Sequence, residues 1–375
     1  ALDTGGLQWV GLSFLARYDG VKPREYRLKR LPQPAPQPPA TPLQVTESPG
    51  QILIRTGPAQ LAISKTSFTG VDAAWIDRNA DGRFTSDEQV IATGGGPYVV
   101  DAADTTYSSS QRGRGDTNVD VRIEEQGPVR VVVAAKGWYH SDRGRPLCIY
   151  QTRIEAYAGL PFFRVRHRTI VTYDTRTNKL ADCGFAIPTT RYRWAGFGAD
   201  RDLIGASLKG RMPAVSLHQD RHDHFRIIQE HVDFKDGART VLQNVGQEGR
   251  RSDGSVKVYD ANMSVTVMLK DVWQKFPKEL EVNESGIVVH FWPLRGGDTF
   301  SDEEELSREN VHKLYFAHEG RYLDLQIPKK YRDRLYEICR TDWFGLGESV
   351  DVGYGANGQG LCIANEFLVH LGHTR

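Results

Sequence analysis

Phe162-Phe-Arg-Val-Arg-His-Arg-Thr-Ile-Val-Thr-Tyr173 is the stretch that decides the fold class. Successive side chains of a strand point to opposite faces, and this stretch sorts by that period of two. Phe163, Val165, His167, Thr169 and Val171 share one face; Arg164, Arg166 and Arg168 share the other. An apolar face backed by a charged one is the pattern of an antiparallel strand with one side on a core. His167 falls on the apolar face and reads as a satisfied core histidine. The arginine face has two readings. It binds an acidic polymer as a substrate surface, or it pairs with carboxylates on a neighbouring strand, the commoner use.

The same signature spreads outward. Residues 51–56 and 59–64 flank Gly57-Pro58, and residues 119–125 and 129–135 flank Gln126-Gly-Pro128, both hairpin patterns. Further strand-like runs cover 7–16, 147–157, 183–189, 263–269, 286–292, 313–318, 322–327 and 360–370. Residues 329–339, after Pro328, are the one stretch that reads as a short helix. Many strands with almost no helix make an all-β chain, built as a large antiparallel β-sandwich. Residues 33–42 hold five prolines, which form a stiff extended connector and place a boundary there. The chain is read as 1–42, then one sandwich domain over 43–375.

Lys and Arg number 48 against 47 Asp and Glu, a formal net charge of +1 over 375 residues. That balance gives no reason to expect nucleic acid or an anionic membrane surface as partner. No apolar run reaches the eighteen residues of a membrane span. Cys148, Cys183, Cys339 and Cys362 are scattered without a C-x-x-C pair, which argues for buried thiols, or for disulfides if the protein is exported. Both ends read as cuts, so the chain is expected to be a piece of a longer protein.

Asp77-Arg-Asn-Ala-Asp-Gly-Arg-Phe-Thr-Ser-Asp-Glu88 has the spacing of a calcium loop. Asp77, Asn79 and Asp81 stand at positions 1, 3 and 5, Arg83 offers its carbonyl at 7, Thr85 stands at 9 and Glu88 at 12. Gly82 permits the sharp turn between early and late ligands. The flanks are too short and aperiodic for paired helices, so the expected Ca²⁺ is structural and joins strands. A solvated acidic turn is the plainer alternative.

Several motifs in order carry a resemblance. They are Gly127-Pro-Val-Arg-Val-Val-Val-Ala-Ala-Lys-Gly-Trp138, Arg153-Ile-Glu-Ala-Tyr-Ala-Gly159, Arg164-Val-Arg-His-Arg-Thr169, Leu269-Lys-Asp-Val-Trp-Gln-Lys-Phe-Pro-Lys-Glu-Leu280 and Ile287-Val-Val-His-Phe-Trp-Pro293. Together they resemble the exo-rhamnogalacturonan lyase (RGLX-like) family. The resemblance implies a supersandwich-like domain preceded by the tail of a RIFT-type β-barrel. It also implies a C-terminal α/α toroid that is missing from this chain, and a secreted or periplasmic protein acting on acidic polysaccharide.

Such lyases cut beside a uronate by β-elimination. A cationic or hydrogen-bonding group neutralises the carboxylate, a base takes the C5 proton and an acid protonates the leaving oxygen. His218, His222 and His224 lie within seven residues, and on a strand His222 and His224 would share a face. His222, His224 and Tyr315 are the catalytic candidates; Arg164, Arg166 and Arg168 are the substrate-binding ones. A solvated loop is the plainer account of the histidines. A non-catalytic carbohydrate-binding or scaffolding sandwich with structural calcium is the alternative function.

Overall fold

A computed structural model describes residues 9–12, 14, 40–113, 119–174, 177–189, 192–199, 202–207, 214–235, 238–260, 263–293, 310–317, 335–338, 361–364 and 367–370. The chain divides into two compact units, Ala1–Pro39 with Lys330–Arg375, and Ala40–Lys329. The large unit therefore starts near the proline connector, while the carboxy-terminal stretch groups with the amino-terminal one. In the smaller unit Trp9–Leu12 pairs antiparallel with Phe367–His370, and Leu335–Ile338 with Leu361–Ala364. Residues 335–338 were expected to be helical and are a strand instead. Leu-Tyr-Glu-Ile suits a pleated surface, and pairing to a partner strand outweighs a weak local helix preference.

The large unit is antiparallel throughout. Gln44–Glu47, Gln51–Arg55, Ala59–Ser64, Ala73–Ile76 and Gln89–Ile91 form one five-stranded sheet in chain order. The strands from Gly96–Asp101 to Asn310–Ala317 hydrogen-bond into a second, larger system that closes on itself. Both hairpins read from Gly-Pro signatures are present, with Ile52 opposite Ile63 and Val132 opposite Glu125. Among the described residues the only helical element is the 3-10 turn Ser86–Glu88, and no helix is long and apolar enough to cross a membrane.

One apolar core joins the sheets, with Ile52, Leu61, Phe68, Val131, Ile154, Phe163, Leu217, Phe225, Val265 and Val289 among its members. The deciding stretch follows its alternation in its second half. In the strand Phe162–Ile170, Phe163, Val165 and His167 are buried and Arg168 is exposed, while Phe162 and Arg164 on the opposite face are buried as well. His167 is 1% exposed, and its two ring nitrogens meet Tyr139 Oη and Thr152 Oγ1, each at 2.9 Å. Burial pushes its pKa down to about 3, so the ring stays neutral in the folded chain.

That places a sign on acid stability. A depressed histidine contributes fully above the unfolded value of 6.5 and loses its contribution as pH falls from there towards 3. Between pH 7 and pH 5 the unfolding free energy is expected to drop by about 2 kcal/mol from this residue alone. Urea midpoints at the two pH values, for the native chain and for His167→Gln, check it. The variant is expected to show the smaller pH dependence.

Candidate functional site

The strands His224–Lys235, Ala214–Arg221, Lys278–Asn283, Gly286–Trp292, Leu180–Pro188 and Gly96–Asp101 lie side by side. Their register sets Arg226 opposite His218, His218 opposite Glu279, Glu279 opposite His290, His290 opposite Gly184, and Gly184 opposite Tyr98. Residues directly opposite in an antiparallel pair share a face. The intervening positions Phe225, Leu217, Leu280, Val289, Cys183 and Val99 belong to the apolar core. The row thus lies on the face turned away from that core. Asp182 and Glu281 stand two residues along from Gly184 and Glu279, on the same face.

Gly184 is what allows the row to close on itself. A Cβ there would come within 2.6 Å of Tyr98 Oη and 2.7 Å of Val289 O. Without one, Tyr98 Oη reaches across to His290 Nδ1 at 3.1 Å, with the two rings edge to face. Asp182 holds the same Nδ1 at 3.0 Å. His290 Nε2 is 3.7 Å from Glu281 Oε2, beyond hydrogen-bond reach. Burial alone would lower the His290 pKa, but the Asp182 carboxylate, followed by Glu281 and Glu279, outweighs it and pushes the value up to about 10. Burial, reinforced by the Asp182 charge, holds the Tyr98 phenol well above its ordinary value, so it keeps its proton. His218 Nδ1 lies 3.0 Å from Glu279 Oε2, and both side chains are almost wholly buried, at 1% and 2% exposed. Arg226 is half-buried, and no ion pair joins it to another described residue.

The residues singled out from sequence lie elsewhere. Arg164 is buried and ion-paired with Glu155, which also meets Arg166 at 2.5 Å. The arginine face is therefore occupied by a carboxylate of the adjacent strand, while Arg168 is exposed. His222 is not on a strand: with Asp223 it makes the turn between Ala214–Arg221 and His224–Lys235, and its side chain is 63% exposed. His224 begins the next strand opposite Arg221, with Nδ1 2.6 Å from Asp220 Oδ1. Strand alternation therefore does not hold His222 and His224 on one face. Tyr315 belongs to the strand Asn310–Ala317, opposite Phe162 and Thr266, so its backbone is not beside that turn. Its side chain lies outside the described residues.

The Asp77–Glu88 loop folds around its own backbone. Asp77 Oδ1 and Asn79 Oδ1 both accept from Asp81 N–H, at 3.0 and 3.2 Å, and Asp77 Oδ2 accepts from Gly82 N–H at 2.8 Å. Gly82 has a φ of +75°, the left-handed conformation its position requires. Glu88 is buried, and its two oxygens accept from Arg78 N–H and Thr85 N–H, each at 3.0 Å. Arg83 and Thr85 are exposed. Among the described residues, the group of three His, Cys, Asp or Glu side chains whose ligand atoms lie within 4.8 Å of one another is Glu279, Glu281 and His290.

No curated protein matches the chain. Among solved structures, similarity is found to the α-N-acetylgalactosaminidase NagBb of Bifidobacterium bifidum. Identity is 12%, coverage is 77% of this chain and 38% of that one, and the TM-score is 0.37. A Klebsiella pneumoniae protein provisionally described as an aldose 1-epimerase is 9% identical, with 72% and 79% covered and a TM-score of 0.35. The α-galactosidase AgaA of Geobacillus stearothermophilus is 12% identical, with 72% and 41% covered and a TM-score of 0.34. The chain thus spans well under half the length of the two glycosidases. Residues 43–190, which hold the five-stranded sheet and three of the earlier motifs, match the family model of the PcRGLX-like protein central beta sandwich domain.

Proposed function

We propose that the chain is the sandwich part of an exported polysaccharide lyase that cleaves a uronate-containing, rhamnogalacturonan-like polymer by β-elimination. The observation that carries this reading is the match of residues 43–190 to the PcRGLX-like central sandwich. The row supplies two of the needed groups on adjacent strands. Arg226 neutralises the uronate carboxylate, which acidifies the C5 proton, and His218, one strand away, takes that proton. The C5–H electron pair forms the C4–C5 double bond as the C4–O bond breaks. The leaving oxygen then takes a proton from an acid. This scheme assigns no step to His222, His224 or Tyr315.

One observation favours a second reading. The His218 side chain is 1% exposed, and a sealed row suits a non-catalytic, carbohydrate-binding sandwich better than an open cleft. The readings separate by mixing the chain with rhamnogalacturonan and following absorbance near 235 nm, where the unsaturated uronate absorbs, alongside affinity electrophoresis in the same polymer. Rising absorbance is the expected result. Binding with a flat trace selects the second reading, and neither binding nor absorbance discards both.

The loop Asp77–Glu88 is taken, in the same reading, as a structural calcium site. Asp77 and Asn79 accept from Asp81 N–H, Asp77 also from Gly82 N–H, and Asp81 Oδ1 accepts from Arg83 N–H, so the turn orders these side chains before any ion arrives. An ion held at a hundred times its Kd adds about 2.7 kcal/mol. A chelator is therefore expected to lower Tm by several degrees in the native chain and by much less in Asp81→Asn. An unchanged Tm in the native chain contradicts a bound structural ion.

A further inference from the structure

The other end of the row gathers carboxylates and an imidazole to which the scheme above assigns no step. We propose that Glu279, Glu281 and His290 bind one divalent metal ion of the zinc or manganese kind. Their ligand atoms already lie within 4.8 Å of one another. Glu279 and His290 face each other across paired strands, and Glu281 is two residues along on the same face, so the backbone itself sets the spacing.

The histidine is prepared on both sides. A metal-bound imidazole presents one nitrogen to the ion and gives the other to a carboxylate or similar acceptor that fixes the ring. His290 does this. Nδ1 is held by Asp182 at 3.0 Å and touches Tyr98 Oη, while the buried Nε2 has no hydrogen-bond partner. Glu281 Oε2, at 3.7 Å, is the carboxylate oxygen that approaches Nε2. Two donors each about 2.1 Å from a shared zinc ion stand roughly 3.0–3.4 Å apart, so the gap closes by a few tenths of an ångström. The second glutamate is also oriented, because Glu279 Oε2 meets His218 Nδ1. His218 Nε2 is likewise buried without a hydrogen-bond partner.

Charge points the same way. Asp182, Glu279 and Glu281 bring three carboxylates to one largely buried place. The Lys278 ammonium lies on the core side of its strand, against the carbonyls of Phe291 and Pro277. Carboxylates gathered in one largely buried place favour a bound cation. The donor set decides which ion. Imidazole with carboxylates suits zinc, manganese or iron, whereas calcium and magnesium take all-oxygen shells. The site is therefore chemically distinct from the oxygen-only Asp77–Glu88 loop.

The test uses the full chain stripped with a chelator and titrated with Zn²⁺ and with Mn²⁺ by calorimetry, with elemental analysis of the loaded protein. One ion per chain is expected. Glu281→Gln and His290→Gln should each weaken binding at least about tenfold, and Asp182→Asn about ten- to a hundredfold through loss of ring orientation. Replacing the histidines at the neighbouring turn (His222→Ala with His224→Ala) should leave affinity unchanged. Zinc-edge absorption spectroscopy of the native chain gives a readout that no variant's folding can spoil. One imidazole with oxygen neighbours is the expected shell; sulfur or several imidazoles would overturn the site. The proposal also fails if no stoichiometric ion binds, if Glu281→Gln binds as the native chain does, or if removing the turn histidines abolishes binding. None of these measurements involves sugar, so their failure leaves the lyase reading standing, and the reverse holds as well.

Discussion

Glu155→Ala is expected to destabilise the large unit by about 3–5 kcal/mol, the usual cost of stripping the partner from a buried charge. Glu155 is fully buried between three arginines. It is ion-paired with Arg164, lies 2.5 Å from Arg166 and 3.8 Å from Arg130, and accepts from Tyr157 Oη at 2.6 Å. Burial raises its pKa, but the Arg164 guanidinium and the other donors outweigh that and hold it below the ordinary carboxylate value. Its removal leaves Arg164, itself 5% exposed, as an unmatched cation inside the sandwich. Urea unfolding is the measurement. The double variant Glu155→Met with Arg164→Met should recover much of the loss, because the uncompensated charge goes with its partner. A loss below about 1 kcal/mol in Glu155→Ala would mean that solvent reaches the cluster.

The second large effect concerns rate. Under the proposed lyase reading, His218→Gln should lower β-elimination by about 10²–10⁴-fold, the range for losing a positioned proton acceptor. Glutamine retains a donor for Glu279, so the contact between the two strands survives while the base is lost. The melting temperature should therefore move far less than the rate. Arg226→Gln should act differently, raising KM as well as lowering kcat, because the carboxylate it neutralises is present in the bound substrate too. If both variants retain native rates, the row takes no part in cleavage.

The strand Phe162–Ile170 was legible because its alternation is strict: hydrophobic burial imposes a period of two, and a charged face cannot be turned inward unpaired. His167 was legible for the same reason, as a histidine in register with Phe163 and Val165. The partner of the arginine face was not, since Glu155 lies on the adjacent strand and pairing register cannot be read from one strand alone. The row failed to appear for a related reason. His218, Glu279 and His290 are 61 and 11 residues apart in sequence, and only the pairing of three strands makes them neighbours. A local signal did exist. Glu279 and His290 lie within motifs that carried the family resemblance, and Glu281 directly follows the first of them, but sequence offered no way to tell a solvated face from a covered one. The dense histidine turn at residues 218–224 drew attention to His222 and His224, whereas the turn leaves His222 in solvent and sends His218 onto the row. Residues 335–338 misled because a short segment with mixed polarity has no decisive period.

The account stands on the row being where a uronate is handled. A crystal structure of the chain with a disaccharide of unsaturated galacturonate and rhamnose tests this most directly. The expected density puts the uronate carboxylate within hydrogen-bond reach of the Arg226 guanidinium, C5 turned towards an uncovered His218. A sugar bound on another surface, with His218 still sealed, would contradict it.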